Sequence, residues 1–545
     1  MSNVQQHKSA DIKVTDLSKF SEAEIKRELG ARDRLGDIKR AVMYETVTDP
    51  ATGKDVGLLH IMNPYEKEPV PVTLTTDASK ADVEAILAKI SPTKEFCEML
   101  SRLAECYQTE YPVLIIGGTA IGKTFVVNKF TELLYGKGVK PIDFYCSGQT
   151  DVSELMGRWV PAKGMPEEAK QRWEAFVQSP YGSQRLESID QAVNSSGAAS
   201  TEDKAKMYRS MIQQLAKEVG LGNDAQFEFE YGAIPKMYMG EVVDGKFRMR
   251  PEGGAKGIIG HVQEVGLARP SVTNAMLRFR GENGELSESF QLWELDGRPI
   301  QKGPNTFLVY TTNPIEGHVD RKPLDAALTR GCEVSNQGET LSPESMKMSA
   351  RKIFTYSLGN DVEPANRHAS LDLRKAPEIG EAVAAAMVAV HEMLAAHFNL
   401  GASDDPQRLP VVMDNMIKVA KFLQNHQVKG DSGIVDLGKS LSRAISRTYL
   451  ERAKPEDRPE IEKQVSERIF GKTSVEAFEG KTCSLNDKLN ILAARATQRL
   501  KAASGGTAAQ APADTLQAKA LEQGRDSFQS RAQKIAESLN PKLKS

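Results

Sequence analysis

One octapeptide constrains this chain more than the rest of its 545 residues. Gly117-Gly118-Thr119-Ala120-Ile121-Gly122-Lys123-Thr124 follows an apolar run, Pro112–Ile116, and leads into amphipathic sequence, Thr124–Leu134. Strand, glycine-rich loop and helix in that order make an anion cradle. The glycines let backbone N–H groups converge on phosphate oxygens with no Cβ in the way. The helix N-terminus adds partial positive charge, Lys123 adds a full one, and the Thr124 hydroxyl is placed for Mg²⁺. The pattern predicts an α/β fold, a parallel sheet flanked by helices, that binds a nucleoside triphosphate. Such a loop reads phosphates rather than the base, so it does not itself choose ATP over GTP.

Downstream sequence continues the α/β pattern, with strands expected at Lys140–Cys146, Gly257–Val262 and Thr306–Thr311 and a helix at Ser271–Arg278. Phe290–Leu295 and Arg298–Ile300 flank Asp296-Gly297, a hairpin signal. Residues 165–221 interrupt the core with charged, helix-favouring sequence split at Asn194–Gly197. Upstream, a helix beginning at Ser21 and strands Ala41–Val47 and Val56–Met62 are expected, then helices Asp82–Ile90 and Thr93–Tyr107. Beyond residue 340 the chain reads as helices: Pro343–Ser357, Ile379–His397, Val411–His426, Leu437–Arg452 and Ile461–Ile469. The expected organisation is a mixed α/β region over 1–78 and the α/β core over 79–335 with its insert at 165–221. An α-helical lid over 336–500 follows, then a linker and C-terminal helix over 501–545.

Composition enters as a set of exclusions. Lys+Arg number 71 against 73 Asp+Glu, a net charge of −2, which gives no basic field for coating a nucleic acid. No apolar run approaches the ~20 residues that span a bilayer. The first residues, Met1–Lys13, hold no apolar stretch of a secretory leader. Five scattered cysteines without a CxxC pair argue against a disulfide framework or structural zinc, and a cytoplasmic location is expected. His391-Glu392 is followed by His397, six positions on, which is not the i,i+4 pair of a zinc helix.

Several segments together resemble a known family. Gln149–Arg158, Glu264–Pro270 leading into Ser271–Leu277, Thr311–Pro314 and Arg321–Arg330 resemble, in order and placement, the MoxR/CbbQ/midasin-like (dynein-related) branch of the AAA+ ATPases. The resemblance covers roughly residues 93–335. It implies an ATPase using ATP and Mg²⁺, with phosphates held by Gly117, Gly118, Thr119, Ala120, Ile121, Gly122, Lys123 and Thr124. Glu264 matches the acidic residue that polarises the attacking water, and Asn313 the sensor that orients it. Arg330 matches the arginine finger that reaches a neighbour's nucleotide, which implies a homo-oligomeric ring, usually a hexamer. Lys439 and Arg443 resemble the lid's nucleotide-touching pattern; Arg408 is another candidate, and a solvated basic helix face is the plain alternative. The branch implies remodelling of a protein client, often one with a von Willebrand A domain, as in a MoxR-like chaperone.

The chain departs from that branch in the lid pattern, where Lys439 stands in the first arginine place, and more seriously at the metal-binding pair. The family's metal-binding Asp-Glu pair follows four apolar residues, whereas this chain reads Ile258-Ile259-Gly260-His261-Val262-Gln263-Glu264. Gln263 stands where the metal-site Asp belongs, and a neutral amide brings no charge to hold Mg²⁺. Two rivals follow: a nucleotide-binding structural subunit with little hydrolysis, and a motor subunit of a nucleic-acid-processing complex, which the balanced charge disfavours.

Overall fold

The computed structural model describes residues 41–49, 53–119, 121–162, 166–197, 200–221, 227–243, 245–251, 253–281, 284–292, 294–295, 297, 299–315, 323–338, 341–354, 371, 376–398, 413–429, 435–450, 457–470, 476–478 and 481–503. Ala120, Trp293, Arg321, Lys322, Arg408, the helix expected at Ser21 and the C-terminal tail lie outside them.

Three antiparallel strands come first, β1 (Val42–Thr48), β2 (Asp55–Ile61) and β3 (Val72–Thr76). Helix α1 (Lys80–Leu87) begins at Ser79, whose side chain accepts from Asp82 N, and α2 (Lys94–Thr109) begins at Thr93, which accepts from Phe96 N. Phe96, Met99, Leu100 and Leu103 recur at helical spacing on the buried side of α2. They share one apolar core with Leu59, Ile61 and Leu74 of the small sheet and with Val126 and Phe130 further along.

The glycine-rich loop joins β4 (Val113–Ile116) to α3 (Lys123–Tyr135), and β5 (Ile142–Tyr145) follows. Next come α4 (Val152–Met156) and β6 (Gly157–Pro161), then the insert helices α5 (Glu167–Gln178), α6 (Pro180–Ser195) and α7 (Thr201–Glu218). The chain returns through β7 (Phe227–Tyr231), α8 (Ala233–Met239), β8 (Gly240–Val243) and β9 (Lys246–Met249) to β10 (Ile259–Gln263). After it come α9 (Pro270–Met276), the short strands β11 (Ser289–Gln291) and β12 (Pro299–Gln301), β13 (Phe307–Thr312), α10 (Ala326–Arg330) and β14 (Glu333–Asn336).

Five of these strands form a parallel sheet in the order β14-β4-β13-β10-β5. Val113, Ile115, Ile259 and Val309 face the α2/α3 layer, whereas Leu114, Val262, Leu308 and Tyr310 face the layer holding α8 and α9. Parallel sheets covered on both faces favour continuous apolar runs, which is why β4 and the first part of β13 stand out in the sequence. The edge strand β14 does not, because Glu333-Val334-Ser335-Asn336 carries little apolar character.

The insert grows from an antiparallel pair, β6 and β7, whose partners lie far apart in sequence: Gly157 faces Tyr231. Its helices enclose their own core of Trp173, Leu186, Ile189, Val193, Tyr208, Ile212 and Leu215. It has three helices where the composition suggested a single break. The additional break falls at Ser179-Pro180, where Ser179 accepts from Gly182 N and Pro180 opens α6. Trp159 Nε1 donates to Glu294 O at 2.7 Å and Arg209 Nε to Leu295 O at 2.9 Å, tying β6 and α7 to the segment between β11 and β12.

The C-terminal part is helical: α11 (Pro343–Lys352), α12 (Pro377–Phe398), α13 (Met413–Asn425), α14 (Leu437–Thr448), α15 (Arg458–Phe470) and α16 (Leu485–Ala503). These helices bury a separate core that includes Val383, Met387, Leu423, Leu441, Ile461 and Leu489. His391 lies in that core with Nδ1 3.0 Å from Tyr449 Oη, and burial pulls its pKa down to about 4. Among the described residues no helix is long and apolar enough to cross a membrane.

Candidate functional site

The C-terminal ends of β4, β13 and β10 lie side by side in the sheet, and each leads into residues singled out by sequence. Beyond β4 the loop is pinned from its first residue: Gly117 N donates to Thr312 O at 3.2 Å and Gly118 N to Gly338 O at 2.8 Å. Ile121 is buried and Gly122 adopts φ +101°, a left-handed conformation that strains any residue with a Cβ. Gly122 is the N-cap of α3, and no side chain caps that helix. The first-turn N–H groups therefore remain directed at the loop, as anion recognition requires.

Lys123 turns back across the loop. Its Nζ donates to Gly117 O at 2.6 Å, Gly118 O at 2.8 Å and Asn313 Oδ1 at 2.6 Å, with the side chain 9% exposed. Asn313, just beyond β13, also donates from Nδ2 to Thr119 Oγ1 at 3.2 Å. Strand β13 thus fixes the residue that links the lysine to the loop hydroxyl.

On the far side of Lys123, the Thr124 hydroxyl donates to Gln263 Oε1 at 3.2 Å. Gln263 Nε2 donates to Asp143 Oδ1 at 2.7 Å. The same Oδ1 lies 3.1 Å from His261 Nδ1, and His261 Nε2 lies 3.1 Å from Thr311 Oγ1. Strand alternation accounts for the chain of contacts. Ile259, His261 and Gln263 point to one face of β10, and the register sets Asp143 of β5 opposite His261. His261 is fully buried and Gln263 nearly so, and each buried polar group has found a partner.

The two features that interrupt the apolar run of β10 therefore have separate physical reasons. At Gly260 a Cβ would run into Met237 Sδ of α8, so glycine permits the close approach of that helix. His261 bridges β5 and β13 through its two ring nitrogens.

Glu264 directly follows β10 at φ 56°, a left-handed conformation uncommon for a residue with a side chain and frequent at functional positions. Nearby Cys146, whose N–H donates to Gln263 O, is buried, and burial pushes its thiol up to about 12, leaving it unreactive.

The structure brings together Gly117, Gly118, Thr119, Lys123, Thr124, Gln263 and Asn313. Other sequence candidates stand elsewhere. Arg330 is exposed at the C-terminal end of α10, one residue before the turn into β14. Lys439 lies in the first turn of α14, with Nζ 3.4 Å from Asp436 Oδ2, and Arg443 is exposed one turn later. Asp143 is the residue that sequence reading passed over. It lies inside an expected strand, and only strand register reveals its neighbours.

A concavity of about 670 Å³ lies beneath α5, lined by Arg158, Lys170, Trp173, Glu228 and Glu230 among others. It is remote from the loop, and its Arg158 is already paired with Glu230 at 3.4 Å.

No protein-family model matches the chain, and no curated protein matches it. Among solved structures, that of a "putative ATPase" from Cytophaga hutchinsonii ATCC 33406 is similar over 76% of this chain and 92% of that one, with 11% identity and a TM-score of 0.28.

Proposed function

We propose that the chain is a nucleoside triphosphatase of the AAA+ kind, using ATP with Mg²⁺, and that the cleft between the loop and the ends of β10 and β13 is its active site. The observation that carries this is Lys123. Its ammonium bonds two loop carbonyls and Asn313 Oδ1 at the mouth of the loop, where a phosphate oxygen can take their place with a charge-assisted bond. The uncapped N-terminus of α3 points to the same place.

The residues present fit Mg²⁺. Thr124 Oγ1 and Gln263 Oε1 lie 3.2 Å apart. Adjacent oxygens around Mg²⁺ at its ~2.0–2.1 Å bond length are separated by about 2.9 Å. Among the described residues no group of three or more His, Cys, Asp or Glu could hold a metal alone, which suits an ion shared with substrate phosphates. When bound, Mg²⁺ neutralises charge on the β- and γ-phosphates. Lys123 and the α3 N–H groups would bind the phosphates. Glu264 would take a proton from the attacking water, and Asn313 would orient that water.

Arg330, exposed and outside its own cleft, suits the finger role in a neighbouring subunit's site, so the assembly we infer is a homo-oligomeric ring, hexameric by the resemblance. The helical region over 336–500 would serve as its lid, with Lys439 and Arg443 the candidates to reach nucleotide. A MoxR-like action on a protein client, such as a von Willebrand A-domain protein, completes this reading.

Gln263 favours a second reading, a ring subunit that binds nucleotide with little turnover, since no carboxylate stands at the usual metal position. Steady-state phosphate release and light-scattering mass, with and without ATP and Mg²⁺, decide between them. Turnover abolished by Glu264→Gln supports the ATPase; nucleotide binding without turnover selects the structural subunit; no binding rejects both.

A further inference from the structure

We propose that Asp143 is the positioning residue of the metal half of this cleft: it sets the orientation of the Gln263 amide and supplies, one contact removed, the negative charge that Gln263 lacks. The inference rests on the cleft being a nucleotide site and goes beyond that reading by assigning a residue outside the sequence motifs.

An amide side chain has two nearly isosteric ends, and which one faces Thr124 decides whether the site attracts or repels a cation. A carbonyl oxygen can ligate Mg²⁺ or accept from its water; an NH₂ group can do neither. Asp143 removes the ambiguity. A carboxylate only accepts hydrogen bonds, so the end of Gln263 at 2.7 Å from Asp143 Oδ1 is its Nε2–H, and Oε1 is left facing Thr124 Oγ1 at 3.2 Å.

Asp143 is itself held in place. His261, fully buried, bonds the same Oδ1 at 3.1 Å through Nδ1, and its other nitrogen is engaged by Thr311 Oγ1. The resulting order is Thr311, His261, Asp143, Gln263, Thr124, running across β13, β10 and β5 to the first turn of α3. A carboxylate bonded to the amide also polarises it and makes Oε1 a stronger donor to a metal, as outer-shell carboxylates do behind ligating groups. The acidic character usual at the strand end is thereby relocated to the neighbouring strand. That accounts for His261 and Gln263 occurring together with Asp143 and Thr311 on neighbouring strands of the sheet.

The test separates metal affinity from nucleotide affinity. Mn²⁺ is titrated by its paramagnetic resonance signal into protein saturated with a non-hydrolysable ATP analogue, and calorimetry measures the analogue's affinity in EDTA. In Asp143→Asn the new amide can donate as well as accept, so it no longer selects the orientation of Gln263. Mn²⁺ affinity is expected to fall ~10–100-fold, as for outer-shell substitutions elsewhere, with affinity in EDTA within about twofold of wild type. Gln263→Asp alone sets two carboxylates side by side, which disfavours ionising both. The double variant Asp143→Asn/Gln263→Asp moves the charge back to β10 and should bind Mn²⁺ more tightly than either single variant.

Unchanged Mn²⁺ affinity in Asp143→Asn overturns the proposal, as does an equal loss in EDTA, which would mark Asp143 as merely structural. If Asp143→Asn fails to fold, the double variant against Gln263→Asp carries the same test, and no gain there overturns it. Wild type that does not bind the analogue in EDTA or with Mn²⁺ overturns the nucleotide-site reading beneath it.

Discussion

The two halves of the cleft are built by different rules. On the side proposed for phosphate, the loop and the start of α3 follow from a contiguous octapeptide, and their geometry is local: glycine conformations, an uncapped helix and a lysine folded onto its own loop. On the side proposed for the metal, Gln263 draws its orientation from β5, His261 and Thr311, contacts that span residues 143 to 311. A local device depends on few residues and is readable in any chain that contains it. A distributed one can change its components, moving a carboxylate from one strand to the next, provided the register keeps them adjacent.

The comparison predicts distinct failures. The largest expected effect is on the phosphate side. Lys123→Ala should weaken nucleotide binding about 100-fold, or ~2.7 kcal/mol, equally in EDTA and in Mg²⁺ by calorimetry. A loss confined to the Mg²⁺ arm would break the division. Gly260→Ala comes next. Its Cβ would meet Met237 Sδ, and overpacking of this kind costs ~1–3 kcal/mol. Denaturant titration should register that loss, with nucleotide affinity in EDTA unchanged, because the glycine serves helix packing rather than the cleft.

Gln263→Ala should leave affinity in EDTA intact and lower Mg²⁺-supported affinity about tenfold, ~1.4 kcal/mol. The smallest effect is a control far from both halves. His391 is buried among the C-terminal helices with its pKa pulled down to about 4, so below its ordinary value the unfolded chain binds a proton that the folded one refuses. Its contribution to stability is full only well above pH 6.5 and is lost progressively as the pH falls through 6.5 toward 4, with ~0.7 kcal/mol lost between pH 7 and pH 6. His391→Phe should flatten that slope in pH-dependent melting without altering binding in either half.

What could be read from sequence divides along the same line. The strands β4, β10 and β13 are almost wholly buried, and the apolar residues that begin each run locate them to within a residue or two. Lys123, Thr124 and Asn313 carry recognisable motifs, and they do converge. Strand β14 escaped because its four residues are mostly polar, and β6 with β7 because each makes sense only beside a partner some seventy positions away. The split between α5 and α6 was legible at Ser179-Pro180, a capping residue followed by proline at the first helical position. Asp143 was not legible at all. Asp143 is exposed on the edge strand β5, and nothing but the register, which sets it against His261, separates it from any other solvated acidic position.

Lys123 and the uncapped end of α3 together form the proposed triphosphate cradle. The most direct measurement is a structure of the protein grown with a non-hydrolysable ATP analogue and Mg²⁺. Phosphates are expected along the loop, with Lys123 Nζ released from Gly117 O and Gly118 O to contact the phosphate oxygens, and the Thr124 hydroxyl turned from Gln263 toward the ion. A loop that keeps Lys123 on its carbonyls, with the analogue absent or bound elsewhere, would contradict it.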